Sequence, residues 1–224
     1  MKILFVTWDG PQTSYIESLF LPIFNRLLEH NIFVQVLQFS WATTEILEER
    51  KKTCADLGIN FNYIKINAKY RLFSSVFSLF KGCIYINNLK NLDFIMPRAL
   101  TASLISLIGK PANVKMIFDA DGLPADERVD FANLSNDGFI YKAYRYLERK
   151  MLLKSDKVLV RSQEAKNILS ARAGAGFKPQ KITVITNGKD SNQFCIKDED
   201  RVLLRKKLKI EDEDFVIGYI GSLG

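Results

Sequence analysis

Three features of the 224-residue sequence predict an α/β fold, a Rossmann-like parallel sheet with helices on both faces. Short apolar runs rich in Val, Ile and Phe alternate with longer segments of helical period along the whole chain. The opening run Ile3-Leu4-Phe5-Val6-Thr7-Trp8 is apolar but for Thr7 and the later Val158-Leu159-Val160 is wholly so, as strands buried on both faces are. Strand and helix also take turns without exception, the order that crossover-connected parallel strands require.

In chain order, strands are expected at 2–8, 32–39, 60–66, 93–96, 114–118, 156–160, 181–185 and 214–220. Helices are expected at 12–29, 42–57, 72–86, 98–109, 138–154, 162–172 and 198–208. The first helix would bury Ile16, Leu19, Phe20, Ile23, Phe24 and Leu27, which recur at the spacing of one helical face, and would end at His30. Ser162 has the position of an N-cap, with Glu164 in the first turn behind it. Loops are expected at 123–137 and 171–179, and a domain boundary around Asn187–Asp198.

Composition narrows the class. With 47% apolar and 25% charged residues the chain has a globular balance, and its length suits one large domain or one domain and a fragment. The first apolar run meets Asp9 too soon to be a signal-peptide core, and no stretch approaches the roughly 20 apolar residues that span a bilayer. Cys54, Cys83 and Cys195 are odd in number and far apart, without metal or redox spacing, which fits a reducing cytosol.

Charge is unevenly placed. Of the net +7, the surplus falls in residues 65–115, where Lys65, Lys69, Arg71, Lys81, Lys90, Arg98, Lys110 and Lys115 face Asp93 alone. The same stretch holds Leu72, Phe73, Val76, Phe77, Phe80 and Ile84 at helical spacing. Such a helix can lie on an anionic membrane surface, each cation contributing about 1 kcal/mol near the headgroups. Equally, it can pack its Phe stripe on the sheet and leave its lysines solvated. No helix-turn-helix, zinc or RNA-recognition pattern points to nucleic acid.

Near its end the chain reads Lys181-Ile182-Thr183-Val184-Ile185-Thr186-Asn187-Gly188-Lys189-Asp190, then Phe194, a charged helix with Arg201 and Arg205, and Phe215-Val216-Ile217-Gly218-Tyr219-Ile220-Gly221-Ser222-Leu223-Gly224. This order resembles the inter-domain region of glycosyltransferase family 4, retaining sugar transferases of the GT-B fold. Met1 to Phe39 looks like the family's opening strand, loop, helix and second strand, and Tyr146 to Ser162 is similar to its helix, strand and cap. The resemblance implies a Rossmann-like acceptor-side domain at 1–190 and a hinge with a basic helix at 191–213. At 214–224 it implies the first strand of a donor-binding domain, with a glycine loop at Gly221, Ser222 and Gly224. The chain would then stop mid-fold, and alone it is expected to turn over no sugar nucleotide.

The resemblance also implies a nucleotide-sugar as co-substrate, no resident cofactor or metal, and a saccharide or lipid-linked acceptor. The place would be the cytoplasm, or the periphery of the inner membrane face, and the leaving diphosphate itself would take the acceptor proton. The sequence departs from the family at two points. The paired glycines after the first strand are reduced to Gly10, and Asp121 stands where some relatives carry arginine. A non-catalytic nucleotide-binding module of Rossmann or flavodoxin type is the rival reading.

Ligands of an open parallel sheet bind beyond the carboxyl ends of its strands. After the first strand come Asp9, Gly10, Gln12 and Thr13. A helix beginning near Pro11 would aim free N–H groups at a donor diphosphate or acceptor, and an ordinary strand-to-helix turn would not. Arg98, after the fourth strand, either clamps an acceptor phosphate or carboxylate or is a solvated first-turn residue. The fifth strand leads into the acid-rich Asp119-Ala120-Asp121-Gly122, whose two aspartates could serve as a general base or a divalent-metal site. Gly10, Arg98 and Asp121 are expected on one rim of the sheet. Asn187-Gly188 reads as a hinge turn with positive φ.

Overall fold

The computed structural model describes the chain except residues 12, 68, 124, 128, 130–134, 189–194, 196 and 219–224, with Arg71 and Leu72 described in backbone only. The predicted Gln12, Pro124, Phe194 and the glycine loop Gly221, Ser222 and Gly224 therefore lie outside the described residues. The chain divides into two compact units, Met1–Thr186 and Asn187–Gly224.

In the first unit the strands are β1 (Lys2–Trp8), β2 (Phe33–Ser40), β3 (Asn60–Lys65), β4 (Phe94–Pro97), β5 (Lys115–Asp119), β6 (Lys157–Val160) and β7 (Ile182–Val184). They form one seven-stranded sheet in the order β3-β2-β1-β4-β5-β6-β7, every pair parallel. The helices are α1 (Leu21–Glu29), α2 (Thr44–Asp56), α3 (Arg71–Asn88), α4 (Ala99–Gly109), α5 (Phe139–Lys154) and α6 (Gln163–Ala173). The predicted fold class stands, with helices on both faces. A smaller core gathers Phe5, Val36, Phe61 and Cys54 under α1 and α2; a larger one gathers Val6, Phe39, Ile95 and Met116 under α3, α4, α5 and α6.

The first helix departs from expectation. It begins near Tyr15, not Pro11, and its first turn, Ile16–Phe20, is a π-helix in which the Leu21 N–H donates to the Ile16 carbonyl. Pro22 is the physical cause: it has no N–H to give Ser18, and its ring would crowd that carbonyl, so the turn widens. One extra residue rotates everything downstream by about 100°. Leu21 is thereby drawn into the core at 3% exposure, while Ile23, expected inside, is 44% exposed. Leu27 is only half-buried.

α3 reverses the usual sidedness of a surface helix. Its small residues face inward: Ser78 is buried, and Gly82 meets the core where a Cβ would press into the Phe39 ring and lie 2.9 Å from Ile105 Cγ2. One row of large residues faces outward, with Phe73 at 80% and Phe80 at 71% exposure and Val76, Phe77 and Ile84 exposed beside them, while Leu79 and Ile86 turn toward the core. Of the two readings of this stripe, the one that packs it on the sheet is therefore overturned. Gly109 of α4 approaches just as closely, its would-be Cβ 2.8 Å from Cys83 Cα. Gly82→Ala is expected to cost about 1–3 kcal/mol through overpacking, less the roughly 1 kcal/mol by which alanine favours a helix. Urea unfolding of the variant measures the difference, and a stabilised variant would refute the close approach.

The second unit carries α7 (Asp198–Leu208), with Asp198, Glu199 and Asp200 in its first turn and Arg205, Lys206 and Lys207 in its last, matching the helix dipole at both ends. No strand forms over 214–218: no described strand runs beside this segment, and Phe215 and Ile217 stand exposed. Asn187 and Gly188 are exposed chain outside the left-handed region, so the expected positive-φ turn is also corrected. Among the described residues no atom lies within 4 Å of the position a Gly188 Cβ would take.

Candidate functional site at the carboxyl rim of the sheet

The strand order reverses at β1, which is flanked by β2 on one side and β4 on the other. A crevice opens at such a reversal beyond the strand ends. Gly10, Arg98 and Asp121 follow the ends of β1, β4 and β5, three adjacent strands, and so share this rim. The reversal is common to catalytic and non-catalytic Rossmann-like domains and does not separate them.

At the end of β1 the loop turns inward. Gly10 is buried beneath the Trp41 indole, which fills the space of its absent side chain with Cζ2 2.6 Å from the would-be Cβ. Asp9 accepts a hydrogen bond from the Thr7 hydroxyl, and its N–H donates to the Phe39 carbonyl at 3.0 Å. Thr13 donates its hydroxyl to the Gly10 carbonyl at 2.9 Å. The Thr13 N–H also donates to the Gly10 carbonyl, at 3.4 Å. Arg50 of α2 pins this loop from below: 4% exposed, it donates to Glu17, to Gln38 Oε1 at 2.7 Å and to the Thr13 carbonyl at 3.1 Å.

Arg98 is neither solvated nor free to clamp a ligand. It is 5% exposed, stacked 4.9 Å from both the Tyr15 and Phe20 ring centres, and engaged with two carboxylates of its own chain. Nη1 lies 3.4 Å from Asp119 and Nη2 2.7 Å from Asp121. Arg161, just past β6, completes a quartet: Nη2 donates to both Asp119 oxygens at 2.8 Å, and Nε lies 3.7 Å from Asp121. Asp119 is the last residue of β5, one position later than the expected strand end, and is fully buried. Burial pushes its carboxyl above the ordinary aspartate value, against the pull of Arg161 and Arg98. Two guanidinium groups and two carboxylates cancel, so the reversal of charge at Asp121 is balanced from within.

Asp121 is the exposed member of the quartet, its side chain 38% accessible, and it is held at φ 63°. A non-glycine residue in the left-handed region costs free energy and tends to mark sites where position matters. Beside it, a cavity of about 290 Å³ runs between the ends of β5 and β6, lined among others by Asp121, Gly122, Arg161, Ser162 and Glu164. Gly122 is pressed against Glu127, whose carboxylate accepts from the Leu123 N–H at 3.3 Å. Ser162 caps α6 by accepting from the Ala165 N–H at 3.1 Å.

A second ionic cluster braces this cavity. Asp126 accepts from Tyr141 at 3.0 Å and from Arg172. Arg172 also lies 3.5 Å from Glu148, which is buried and bonded to Arg145 at 2.6 Å. Burial raises the Glu148 carboxyl above its usual value. Among the described residues no group of three or more His, Cys, Asp or Glu is placed to hold a metal ion.

No protein-family model and no curated protein matches the sequence. Solved structures do. A glycosyltransferase from Rickettsia africae aligns with TM-score 0.56 at 16% identity, over 95% of this chain and 51% of its own. UDP-GlcNAc 2-epimerase from Neisseria meningitidis, bound to UDP-GlcNAc, aligns with TM-score 0.58 at 16% identity, over 95% and 55%. UGT2 of Phytolacca americana, complexed with UDP-2fluoro-glucose and pterostilbene, aligns with TM-score 0.56 at 10% identity, over 90% and 57%. The chain thus shares the Rossmann-like α/β fold of one part of these proteins and spans about half their length.

Proposed function

We propose that the chain is the acceptor-binding part of a retaining glycosyltransferase of the family 4 type. It would serve transfer of a sugar from a nucleotide-sugar to a saccharide or lipid-linked acceptor in cell-envelope polysaccharide or glycoconjugate synthesis. The observation that carries this reading is the rim at Asp121. A charge-balanced carboxylate at the lip of an acid-lined cavity accepts hydrogen bonds from hydroxyl groups and repels phosphate, which suits a sugar acceptor better than a donor diphosphate. The fold shared with proteins bound to UDP-sugars supports the same reading.

In this reading a donor-binding domain begins at 214–224, hinged at Asn187 and Gly188, with Gly221, Ser222 and Gly224 approaching the diphosphate. The nucleotide-sugar is the co-substrate and no resident cofactor or metal is needed. Asp9, Gly10, Gln12 and Thr13 belong to the loop that serves the donor diphosphate and the acceptor, and Arg98, Asp119 and Gly122 hold Asp121 toward the acceptor. Proximity of acceptor and donor, with stabilisation of the leaving diphosphate, then supplies the rate. Residues 65–115 seat the protein peripherally on the inner face of an anionic membrane. No helix among the described residues is long and apolar enough to cross one.

The likeness to UDP-GlcNAc 2-epimerases favours a second reading, epimerisation of a UDP-sugar without an acceptor. One experiment separates the two. The protein expressed from its complete reading frame is incubated with a panel of nucleotide-sugars, with and without saccharide and lipid-linked acceptors. Acceptor-dependent nucleotide release is expected. Asp121→Asn should lower kcat/KM about 10–100-fold, the worth of a hydrogen bond to a charged group. Acceptor-independent conversion to a 2-epimer would establish the second reading, and turnover indifferent to Asp121 would remove the proposed acceptor site.

A further inference from the structure

The helices α3, α4 and α5 lie side by side on one face of the sheet, α4 between the other two. α4 is apolar on nearly every side and recessed, with Leu100, Ala102, Ile105 and Gly109 buried. Between α4 and α5 this leaves a groove of about 580 Å³, floored by Leu104 and Leu107 and walled by Phe139, Ile140, Ala143 and Leu147. That volume is within the usual range for small-molecule sites. Phe139 is 86% and Ile140 56% exposed at one end of α5. At the other end stand Lys150 and Lys154. Lys150 lies 5.2 Å from the Tyr146 ring centre, and neither lysine is ion-paired among the described residues.

A long apolar trough with cations at one end has the polarity of an anionic amphiphile laid along α5. We propose that the α4–α5 groove binds one hydrocarbon chain of an anionic phospholipid, with Lys150 and Lys154 on its phosphate. A second copy of this chain is the poorer occupant on charge grounds. α5 carries Lys142, Arg145, Arg149, Lys150 and Lys154, its one acid, Glu148, is buried and paired with Arg145, and a like face would meet it with like charge. The exposed Phe stripe of α3 flanks the same helical layer, so a lipid held in the groove and a bilayer under α3 are compatible. The inference stands on the groove and its two lysines, and is independent both of the membrane reading of α3 and of the transfer reaction.

The probe is dansyl-labelled undecanoic acid, followed by fluorescence with the 224-residue chain and displaced by lysophosphatidylglycerol below its micelle concentration. Saturable one-to-one binding is expected. Ala143→Trp, an exposed position whose indole would fill the trough, should weaken it at least ten-fold. Lys150→Glu with Lys154→Glu should weaken the acid about five-fold per lysine, the equivalent of about 1 kcal/mol each, and leave the uncharged methyl ester unchanged. Phe73→Glu with Phe77→Glu on α3 should not alter probe binding. Non-saturable uptake, or affinity untouched by Ala143→Trp, overturns the groove. A groove that binds while the α3 variant keeps full vesicle affinity upholds this inference and sinks the membrane reading alone. Concentration-dependent dimers in light scattering that Ala143→Trp dissolves, without probe binding, assign the groove to a second copy and overturn the lipid.

Discussion

Alanine at Asp119 is expected to lower the stability of the 1–186 unit by about 3–5 kcal/mol, the usual cost of stranding a buried charge. The carboxylate is fully buried and accepts from Arg161 through both oxygens and from Arg98 through one. Its upward-shifted pKa says that the ion pairs do not repay its desolvation, so the quartet need not add net stability. Removing one partner is a different matter. Two guanidinium groups then share the single carboxylate of Asp121, and Arg98, 5% exposed, has little water to replace what it has lost. Urea denaturation followed by far-UV circular dichroism reads the change, and adding Arg161→Met should recover part of it, since an apolar replacement has no charge to strand. A loss under about 1 kcal/mol would mean that Arg98 reaches solvent by itself, against its 5% exposure.

On vesicles, Phe73→Glu with Phe77→Glu is expected to weaken binding by about 100-fold or more. Each phenylalanine gains about 1.5–3 kcal/mol on leaving water, and 1.4 kcal/mol is a factor of ten. Wild-type binding to phosphatidylglycerol vesicles should exceed that to phosphatidylcholine and fall with salt, because screening tightens from about 10 Å at 0.1 M to about 3 Å at 1 M. Lys81 supports the geometry: its ammonium lies 4.6 Å from the Phe77 ring centre, so charge and apolar surface present together. Equal sedimentation with neutral vesicles, or with neither kind, would remove the membrane from this face.

The strands were legible because a doubly covered parallel sheet writes itself as unbroken apolar runs; the seven observed strands begin and end within two residues of expectation. The rim was legible for a topological reason, since residues following parallel strands must gather at one edge. What they do there was not. Arg98 reads alike whether solvated, clamping a ligand or locked to Asp119, and only the approach of β5 and the Tyr15 ring decides. Arg50 was invisible, one cation among Glu48, Glu49, Lys51 and Lys52, although polar Gln38 inside an apolar strand hinted that something charged must reach it. The first helix misled because a 3.6-residue period presupposes an α-helix, and Pro22 broke that premise. For α3 the period located the stripe without saying which way it faced. The inward signal lay in Ser74, Ser75, Ser78 and Gly82, a face small enough to lie close to the sheet.

The central place of β1 has a consequence for how the chain is made. β1 is made before β2 and β3, which can add to one side of it once Lys65 has emerged. Its other edge pairs Ile3 with Phe94 and stays open until β4 arrives. During that interval the nascent half-sheet shows an unpaired apolar edge, while the segment emerging next is α3, with its row of phenylalanines. An open edge and a greasy helix exposed together are the conditions under which partly folded chains find each other. The late arrival of four residues, Phe94–Pro97, is therefore what separates assembly of this sheet from association between neighbouring chains.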